Sequence, residues 1–132
     1  MAKKIVTHQD LKVFKLAMES ATKLFELSKS FPKEERFSLT SQMRAAARSV
    51  CANLAEGWRR RRYEGAFINK LSESEGEAAE TQVWIEFSVR CAYMDKAEAR
   101  ELYAAYNRII RTLVGMINHS ETWVIKSPGT RK

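Results

Sequence analysis

Hydrophobic residues recur every three or four positions along four long stretches of the chain. In the first stretch the spacing runs through Leu11, Phe14, Met18, Ala21 and Phe25, with charged residues between them. This spacing predicts an amphipathic α-helix from about His8 to Ser30, with Thr7 or Asp10 as its N-cap. Pro32 ends that helix, because the residue before a proline is excluded from the α region.

The same spacing predicts three further helices. The second begins near Ser38 and carries Leu39, Met43, Ala46, Val50, Leu54 and Trp58 on one face. The third covers roughly residues 63–93, and the fourth starts after Asp95 as N-cap and ends near His119. Residues 120–132 contain Ser127-Pro-Gly129 and are predicted to form a partly disordered tail. The chain is thus divided into one domain, 1–119, and a tail, 120–132.

Helices of this length are rods of about 30–45 Å, and short connections between them make neighbours antiparallel. Five glycines and two prolines in 132 residues also argue against a turn-rich β protein. The predicted fold class is therefore all-α, an antiparallel up-down-up-down four-helix bundle. The N-terminus lacks a secretory signal and no window is apolar enough to span a membrane, which predicts a cytoplasmic protein with no membrane partner.

Charge is distributed unevenly along the chain, whose formal net charge is +7. Residues 36–62 hold seven arginines and one glutamate, whereas residues 63–101 hold four basic and nine acidic residues. A strongly cationic stretch is followed by a strongly anionic one, which is typical of a binding protein with a polarised surface.

The arginines of the second helix are the main candidate for a binding site. The predicted nucleic-acid-binding residues are Arg44, Arg48, Arg59, Arg60, Arg61 and Arg62, extended by Lys3, Lys4 and Lys12. A guanidinium presents a planar fork of donors that matches phosphate oxygens, and like-charged neighbours favour a bound anion. The alternative is that these arginines pair with Glu73, Glu75, Glu77 and Glu80, within the bundle or between subunits.

Catalytic and metal chemistry find little support in the sequence. Glu73, Glu77 and Glu80 share a helix face, but a di-iron site in a bundle needs a Glu-x-x-His motif on each of two helices. His8 and His119 are the only histidines, and neither follows a glutamate by three residues. The two cysteines, Cys51 and Cys91, lack metal-ligand spacing and are interpreted as buried free thiols. We therefore predict no enzymatic activity, no cofactor and no metal.

Several short segments resemble one protein family. They are Asp10-Leu-Lys-Val-Phe14, Phe31-Pro-Lys-Glu-Glu-Arg36, Leu39-Thr-Ser-Gln-Met-Arg44, Ser49-Val-Cys-Ala-Asn-Leu-Ala-Glu-Gly57 and Glu80-Thr-Gln82. The series resembles the four-helix-bundle proteins encoded by intervening sequences in bacterial large-subunit ribosomal RNA genes. This family is related to the accessory variability determinant proteins of diversity-generating retroelements. Cys51 stands where family members commonly have proline.

The resemblance implies a homopentameric ring with a central channel and no known enzymatic activity. For the retroelement relatives it implies binding to nucleic acid and to a reverse transcriptase. Its most specific motif residues are Asn53, Glu56, Gly57, Glu80, Thr81 and Gln82. We interpret Asn53 and Glu56 as structural hydrogen-bonding residues that reach Thr81 or Gln82.

Three aromatic residues complete the candidate list. Trp58 continues the apolar face of the second helix, which favours a core position over stacking on a base. Trp84 and Phe87 lie beside the apolar face of the third helix and are predicted to form a subunit interface. The predicted function is a non-catalytic, ring-forming accessory protein that binds RNA or an RNA–DNA hybrid, with a reverse transcriptase as candidate partner. The alternative is a structural adaptor that binds only protein.

Overall fold

A computed structural model describes residues 4–125 of the chain. Within this range the structure contains four long helices, which are α1 (Lys12–Ser28), α2 (Leu39–Arg59), α3 (Glu64–Arg90) and α4 (Lys96–Asn118). Three short 3-10 helices, His8–Asp10, Lys33–Glu35 and Ser120–Thr122, lie between or beside them. No strand occurs among the described residues. The predicted all-α class is confirmed, and the helix bounds agree with the sequence pattern to within a few residues.

The helix ends follow from local hydrogen bonding. Thr7 caps the turn His8–Asp10, and the Asp10 carboxylate accepts a hydrogen bond from the Thr7 N–H at 3.0 Å. The predicted first helix is therefore split, because Leu11 is extended and α1 begins only at Lys12. Asp95 caps α4 as predicted, since its carboxylate accepts from the Ala97 N–H at 3.0 Å.

The third helix ends earlier than its apolar pattern predicts. Ala92 adopts a left-handed φ of 62°, and its N–H donates to the Val89 carbonyl at 2.9 Å. The Tyr93 N–H donates to the Ser88 carbonyl at 2.8 Å. This pair of bonds is a Schellman closure, which reverses the chain and ends α3 at Arg90.

The four helices pack around one apolar core as a helical bundle. Contacts join α1 to α2, α2 to α3, α3 to α4, and α4 back to α1. The fully buried core includes Leu24, Met43, Val50, Leu54, Phe67, Leu71, Ile85, Tyr106, Ile109 and Leu113. Trp58 is 5% exposed and belongs to this core, as the sequence favoured. No helix among residues 4–125 has the length and apolar character needed to cross a membrane.

The first residues of the predicted tail are packed onto the bundle. Ser120 is buried in the 3-10 turn after α4, and its Oγ donates to Glu64 Oε2 at 2.6 Å. The Trp123 ring meets the Trp58 ring edge-on, with 6.1 Å between centroids. These contacts bring the end of α4 beside the connection from α2 to α3. Residues 126–132 of the predicted tail lie outside the described range.

The two cysteines are free, but they differ in exposure. Cys51 is buried in α2, and burial raises the pKa of its thiol to about 11, so it stays protonated at neutral pH. Cys91 is exposed, so the expectation that both thiols are buried is wrong for this residue. The cause is its position at the C-cap of α3, where the chain is already leaving the helix.

One buried hydroxyl in α4 is expected to cost stability. Tyr106 is fully buried, burial raises the pKa of its phenol, and its Oη has no hydrogen-bond partner among the described residues. An unpaired buried hydroxyl loses its hydration without compensation, so Tyr106→Phe should raise the free energy of unfolding by about 1 kcal/mol. Urea denaturation measures this. Tyr93→Phe is the control, because its Oη donates to Glu35 at 3.0 Å and its loss should not stabilise the protein.

Candidate nucleic-acid interface

The arginine run at the end of α2 occupies a tight turn. The Arg60 N–H donates to the Gly57 carbonyl at 3.0 Å, and the Tyr63 N–H donates to the Arg60 carbonyl at 2.9 Å. The chain leaves the helix here, so successive side chains point in different directions. Arg59, Arg60 and Arg62 are exposed, whereas Arg61 is partly buried. We refer to Arg59, Arg60 and Arg62 as the exposed arginine cluster.

Arg61 is held by contacts within the chain. Its guanidinium carbon lies 3.5 Å from the centroid of the Trp58 ring, and its Nε donates to the Trp58 carbonyl at 2.9 Å. A second nitrogen, Nη1, donates to the Trp123 carbonyl at 3.4 Å. Burial lowers the pKa of this guanidinium, as expected for a charge moved partly out of water. Arg61 therefore joins α2 to the segment after α4.

Arg44 and Arg48 lie on the face of α2 that meets α1. The guanidinium carbons lie 4.5 Å and 5.7 Å, respectively, from the centroid of the Phe25 ring. Arg44 also donates from Nε to Ser28 Oγ at 2.8 Å, whereas Arg48 is exposed. Fifteen residues of helix separate Arg44 from Arg59, which is about 22 Å. The six predicted arginines thus form two groups rather than one continuous site.

The described arginines make no ion pair within one copy of the chain. Three ion pairs occur among residues 4–125, and they are Lys29–Glu26, Lys70–Glu56 and Lys70–Glu73. The alternative that the arginines pair with Glu73, Glu75, Glu77 or Glu80 inside the bundle is therefore wrong for this range. Its second form, pairing between subunits, stays open. The exposed arginine cluster makes no ion pair within residues 4–125, and its one electrostatic link to a carboxylate is that Arg60 helps to lower the pKa of Glu56.

Glu56 is the only acidic residue in segment 36–62, and it forms an ion pair with Lys70 of α3, which also pairs with Glu73. The Lys70 Nζ lies 2.9 Å from Glu56 Oε1. The hydrogen bond from Lys70 lowers the pKa of Glu56, and the same bond raises the pKa of Lys70. Glu56 is thereby bound to α3; it makes no ion pair with the neighbouring arginines, although the charge of Arg60 contributes to its lowered pKa.

The other motif residues have different partners from those expected. Asn53 Nδ2 donates to the Ser49 carbonyl and Ser49 Oγ, both at 3.0 Å, within α2. Thr81 Oγ1 donates to the Glu77 carbonyl at 2.8 Å, and Gln82 Nε2 donates to Asn107 Oδ1 at 2.9 Å. The expectation that Asn53 or Glu56 reaches Thr81 or Gln82 is wrong. Asn53 and Thr81 bond within their own helices, Glu56 pairs with Lys70, and Gln82 bonds to α4.

Two of the three predicted lysines lie within the described residues. Lys4 and Lys12 are exposed, and the turn His8–Asp10 between them contacts α2. Lys3 lies outside the described residues. Nothing in the sequence pattern indicated a role for Trp123, which lies far along the chain yet accepts a hydrogen bond from Arg61. Its contacts with Arg61 and Trp58 are visible only in the folded bundle.

A separate apolar patch surrounds the predicted interface residues of α3. Phe87 is 49% exposed and Phe37 is 84% exposed, whereas Trp84 is partly buried. The Trp84 and Phe87 rings lie 5.9 Å apart, and Trp84 Nε1 donates to Glu80 Oε2 at 3.1 Å. We refer to Phe37, Trp84 and Phe87 as the aromatic patch. Histidine, cysteine and carboxylate side chains form no group of three suited to a metal ion within residues 4–125.

These features define a small helical bundle with a basic end whose exposed arginines make no ion pair within residues 4–125. The chain belongs to the family of 23S rRNA-intervening sequence proteins, whose family model matches residues 9–115. A similar fold occurs in the 1.70 Å crystal structure of a Bacteroides thetaiotaomicron protein of unknown function from the S23 ribosomal protein family. The TM-score is 0.71 at 25% identity, covering 80% of this chain and 95% of that one. No curated protein matches the chain.

The family match confirms the ribosomal intervening-sequence part of the resemblance. The relation to retroelement accessory proteins stays a prediction.

Proposed function

We propose that this protein is a non-catalytic accessory protein that binds nucleic acid, with RNA favoured, through the exposed arginine cluster. One observation carries the proposal: Arg59, Arg60 and Arg62 are exposed and make no carboxylate ion pair within the described chain. Arg59, Arg60 and Arg62 lie within four consecutive residues, so their like charges repel one another, and a polyanion relieves that repulsion. Phosphate oxygens also match the geometry of the guanidinium fork.

The proposed binding is mainly electrostatic. Each arginine–phosphate contact releases condensed counterions, so affinity should fall steeply as salt concentration rises. Arg61 cannot leave its contacts freely, and its role is to fix the turn from which its neighbours extend. The family name refers to an intervening sequence of 23S rRNA, which is a reason to test RNA first.

The proposal includes assembly in the cytoplasm. An up-down-up-down arrangement of the helices and a homopentameric ring are both part of it, with a reverse transcriptase as candidate partner. The aromatic patch supports self-association, because Phe37 and Phe87 are unusually exposed for aromatic residues. Several copies in one ring would present several arginine clusters, and multivalent contacts would strengthen binding to a long polyanion.

A structural adaptor that binds only protein is the second candidate. The aromatic patch and the acidic residues Glu73, Glu77 and Glu80 of α3 favour it, since a neighbouring copy could bring its arginines against these glutamates. In that case the exposed arginine cluster would lie inside the assembly and would not meet RNA.

The test removes the three exposed arginines and keeps Arg61. The variant is Arg59→Gln/Arg60→Gln/Arg62→Gln, and binding to a labelled single-stranded RNA is followed by fluorescence polarisation at several salt concentrations. Loss of three phosphate contacts should reduce the slope of log affinity against log salt by about 2. Affinity at low salt should fall by at least about tenfold, because each lost charge-assisted contact weakens binding.

A matched control carries the same loss of charge elsewhere. Lys23→Gln/Lys29→Gln/Lys33→Gln removes three exposed cations on and after α1. It should leave most of the salt slope intact. An equal effect of the two triple variants would contradict a localised site. A fall in particle mass with the arginine variant, measured by light scattering, would instead support the adaptor.

A further inference from the structure

A groove between α3 and α4 lies far from the exposed arginine cluster. Its volume is about 540 Å³, and its lining residues are Ile85, Glu86, Val89, Arg90, Lys96, Ala99, Arg100, Tyr103, Ala104 and Asn107. Arg90 is the last residue of α3, whereas the arginine cluster precedes the first, Glu64. These 27 residues of helix correspond to about 40 Å. Ligands could therefore occupy both places at the same time.

The lining of this groove combines an apolar base with basic edges. Ile85 and Ala99 are buried, and Val89 is partly buried beside them. Arg90, Lys96 and Arg100 are exposed around this base.

The three cations of the groove are unpaired within the described chain. No ion pair of residues 4–125 includes Arg90, Lys96 or Arg100. The lining also contains one carboxylate, Glu86, which accepts from the Tyr103 hydroxyl at 3.4 Å. With three cations and one carboxylate, the groove has a net positive charge that favours an anionic ligand.

From this pattern we infer that the groove binds an acidic amphipathic helix of a partner protein. Lys96 and Asn107 are eleven residues apart on α4, so the groove extends over about 16 Å, or three helical turns. A helix of that length would place apolar residues at i, i+4 and i+7 on Val89, Tyr103 and Ala104, which are partly or fully exposed. Its flanking carboxylates would then meet Arg90, Lys96 and Arg100.

Charge and polarity favour a peptide over nucleic acid in this groove. A polynucleotide backbone has no apolar face to bury on Val89 and Ala104. Segment 63–101 supplies seven of the ten lining residues, and eight of its nine acidic residues lie outside the lining. A polyanion that extends beyond the groove therefore meets repulsive charge that a short helix avoids. A short helix with a few carboxylates gains both the apolar burial and the local ion pairs. The inference does not depend on the proposed RNA binding.

Selection from a helical-peptide library tests the inference with the full-length protein. Sixteen-residue peptides with randomised positions are displayed and selected for binding. We expect enrichment of peptides with apolar residues at helical spacing flanked by Asp and Glu. The most enriched peptide is then labelled and titrated by fluorescence anisotropy. Arg90→Glu/Lys96→Glu/Arg100→Glu should weaken its binding at least tenfold, because each carboxylate would then face a carboxylate.

Two controls separate the groove from general electrostatics. Lys23→Glu/Lys29→Glu/Lys33→Glu makes the same change in net charge and should alter peptide affinity less than threefold. Ala104→Glu adds one carboxylate within the groove, whereas Ala79→Glu adds one to an exposed site of α3 outside it. Only the first should weaken binding. Circular dichroism checks that each variant is folded.

Three results would overturn the inference. One is enrichment of peptides without an acidic bias. Another is equal binding of the selected peptide to the groove variant and the parent protein. The third is that the groove variant loses RNA affinity while it retains peptide affinity, which would assign these cations to nucleic acid.

Discussion

Trp58→Ala should destabilise the protein by about 3–5 kcal/mol, the range measured when a buried aromatic residue is truncated to alanine. Trp58 is 5% exposed, so the substitution removes a large apolar side chain from the core. It also removes the ring on which Arg61 stacks and against which Trp123 packs. Urea denaturation followed by far-ultraviolet circular dichroism gives the free energy of unfolding.

The same substitution should loosen the segment after α4. The Arg61 carbonyl accepts from the Ile125 N–H at 3.0 Å, and Arg61 Nη1 donates to the Trp123 carbonyl at 3.4 Å. Without the Trp58 ring, Arg61 loses the surface that orients it, so residues 119–125 should become accessible to limited proteolysis. The Trp123 fluorescence should shift to longer wavelength as its ring meets water.

Trp58→Phe is the control for this result. It keeps an aromatic face beneath Arg61 and should cost clearly less than the alanine substitution, with the segment after α4 still protected. A loss below about 1 kcal/mol for Trp58→Ala would contradict a core role, since truncation of a buried tryptophan creates a large cavity. Trp58 would then be reconsidered as a base-stacking residue.

Much of the fold could be predicted because helix signals are local. The spacing of Leu39, Met43, Val50 and Leu54 fixes both the extent of α2 and its buried face, and the Asp95 cap fixes the start of α4. The end of α3 was harder to predict. Apolar residues continue to Tyr93, yet the chain reverses at Ala92. A glycine normally occupies such a left-handed position and signals the closure in the sequence, but here the residue is alanine.

The candidate site was predictable in composition but only partly in geometry. The sequence shows six arginines in and after α2. Which of them are exposed and which are held by contacts within the chain depends on the neighbours of each side chain. Arg61 is held by Trp58 and by Trp123, which is 62 residues away along the chain. Arg44 is held by Ser28 and Phe25 of α1. Such contacts depend on how the helices pack, so helical periodicity does not reveal them.

Gly57 shows a further limit of the sequence pattern. Its place near the end of α2 is compatible with a C-terminal glycine, which normally supplies a left-handed conformation. No described glycine has a positive φ, so that reason does not apply here. A Cβ atom added at Gly57 would lie 3.2 Å from Lys70 Cβ and 3.4 Å from Leu71 Cδ2. The glycine therefore permits α2 and α3 to approach closely.

Gly57→Leu should destabilise the protein by about 2–3 kcal/mol, because the added side chain is forced between α2 and Lys70 and Leu71 of α3. Gly57→Ala should change stability by less than about 1 kcal/mol. Its Cβ requires a shift of a few tenths of an ångström, and the better helix propensity of alanine offsets part of that strain. Denaturant titrations of both variants give the two values.

Gly76 supplies the matched control within α3. A Cβ at Gly76 has no neighbouring atom within 4 Å, and the residue is exposed. Gly76→Ala should therefore stabilise the protein by about 0.5–1 kcal/mol, and Gly76→Leu should not destabilise it, because only helix propensity changes. If Gly57→Leu and Gly76→Leu gave the same result, close packing at Gly57 would be disproved. If only Gly57→Leu is destabilising, the close approach of α3 also accounts for the Lys70–Glu56 ion pair, which holds Glu56 against α3 rather than in an ion pair with the exposed arginine cluster.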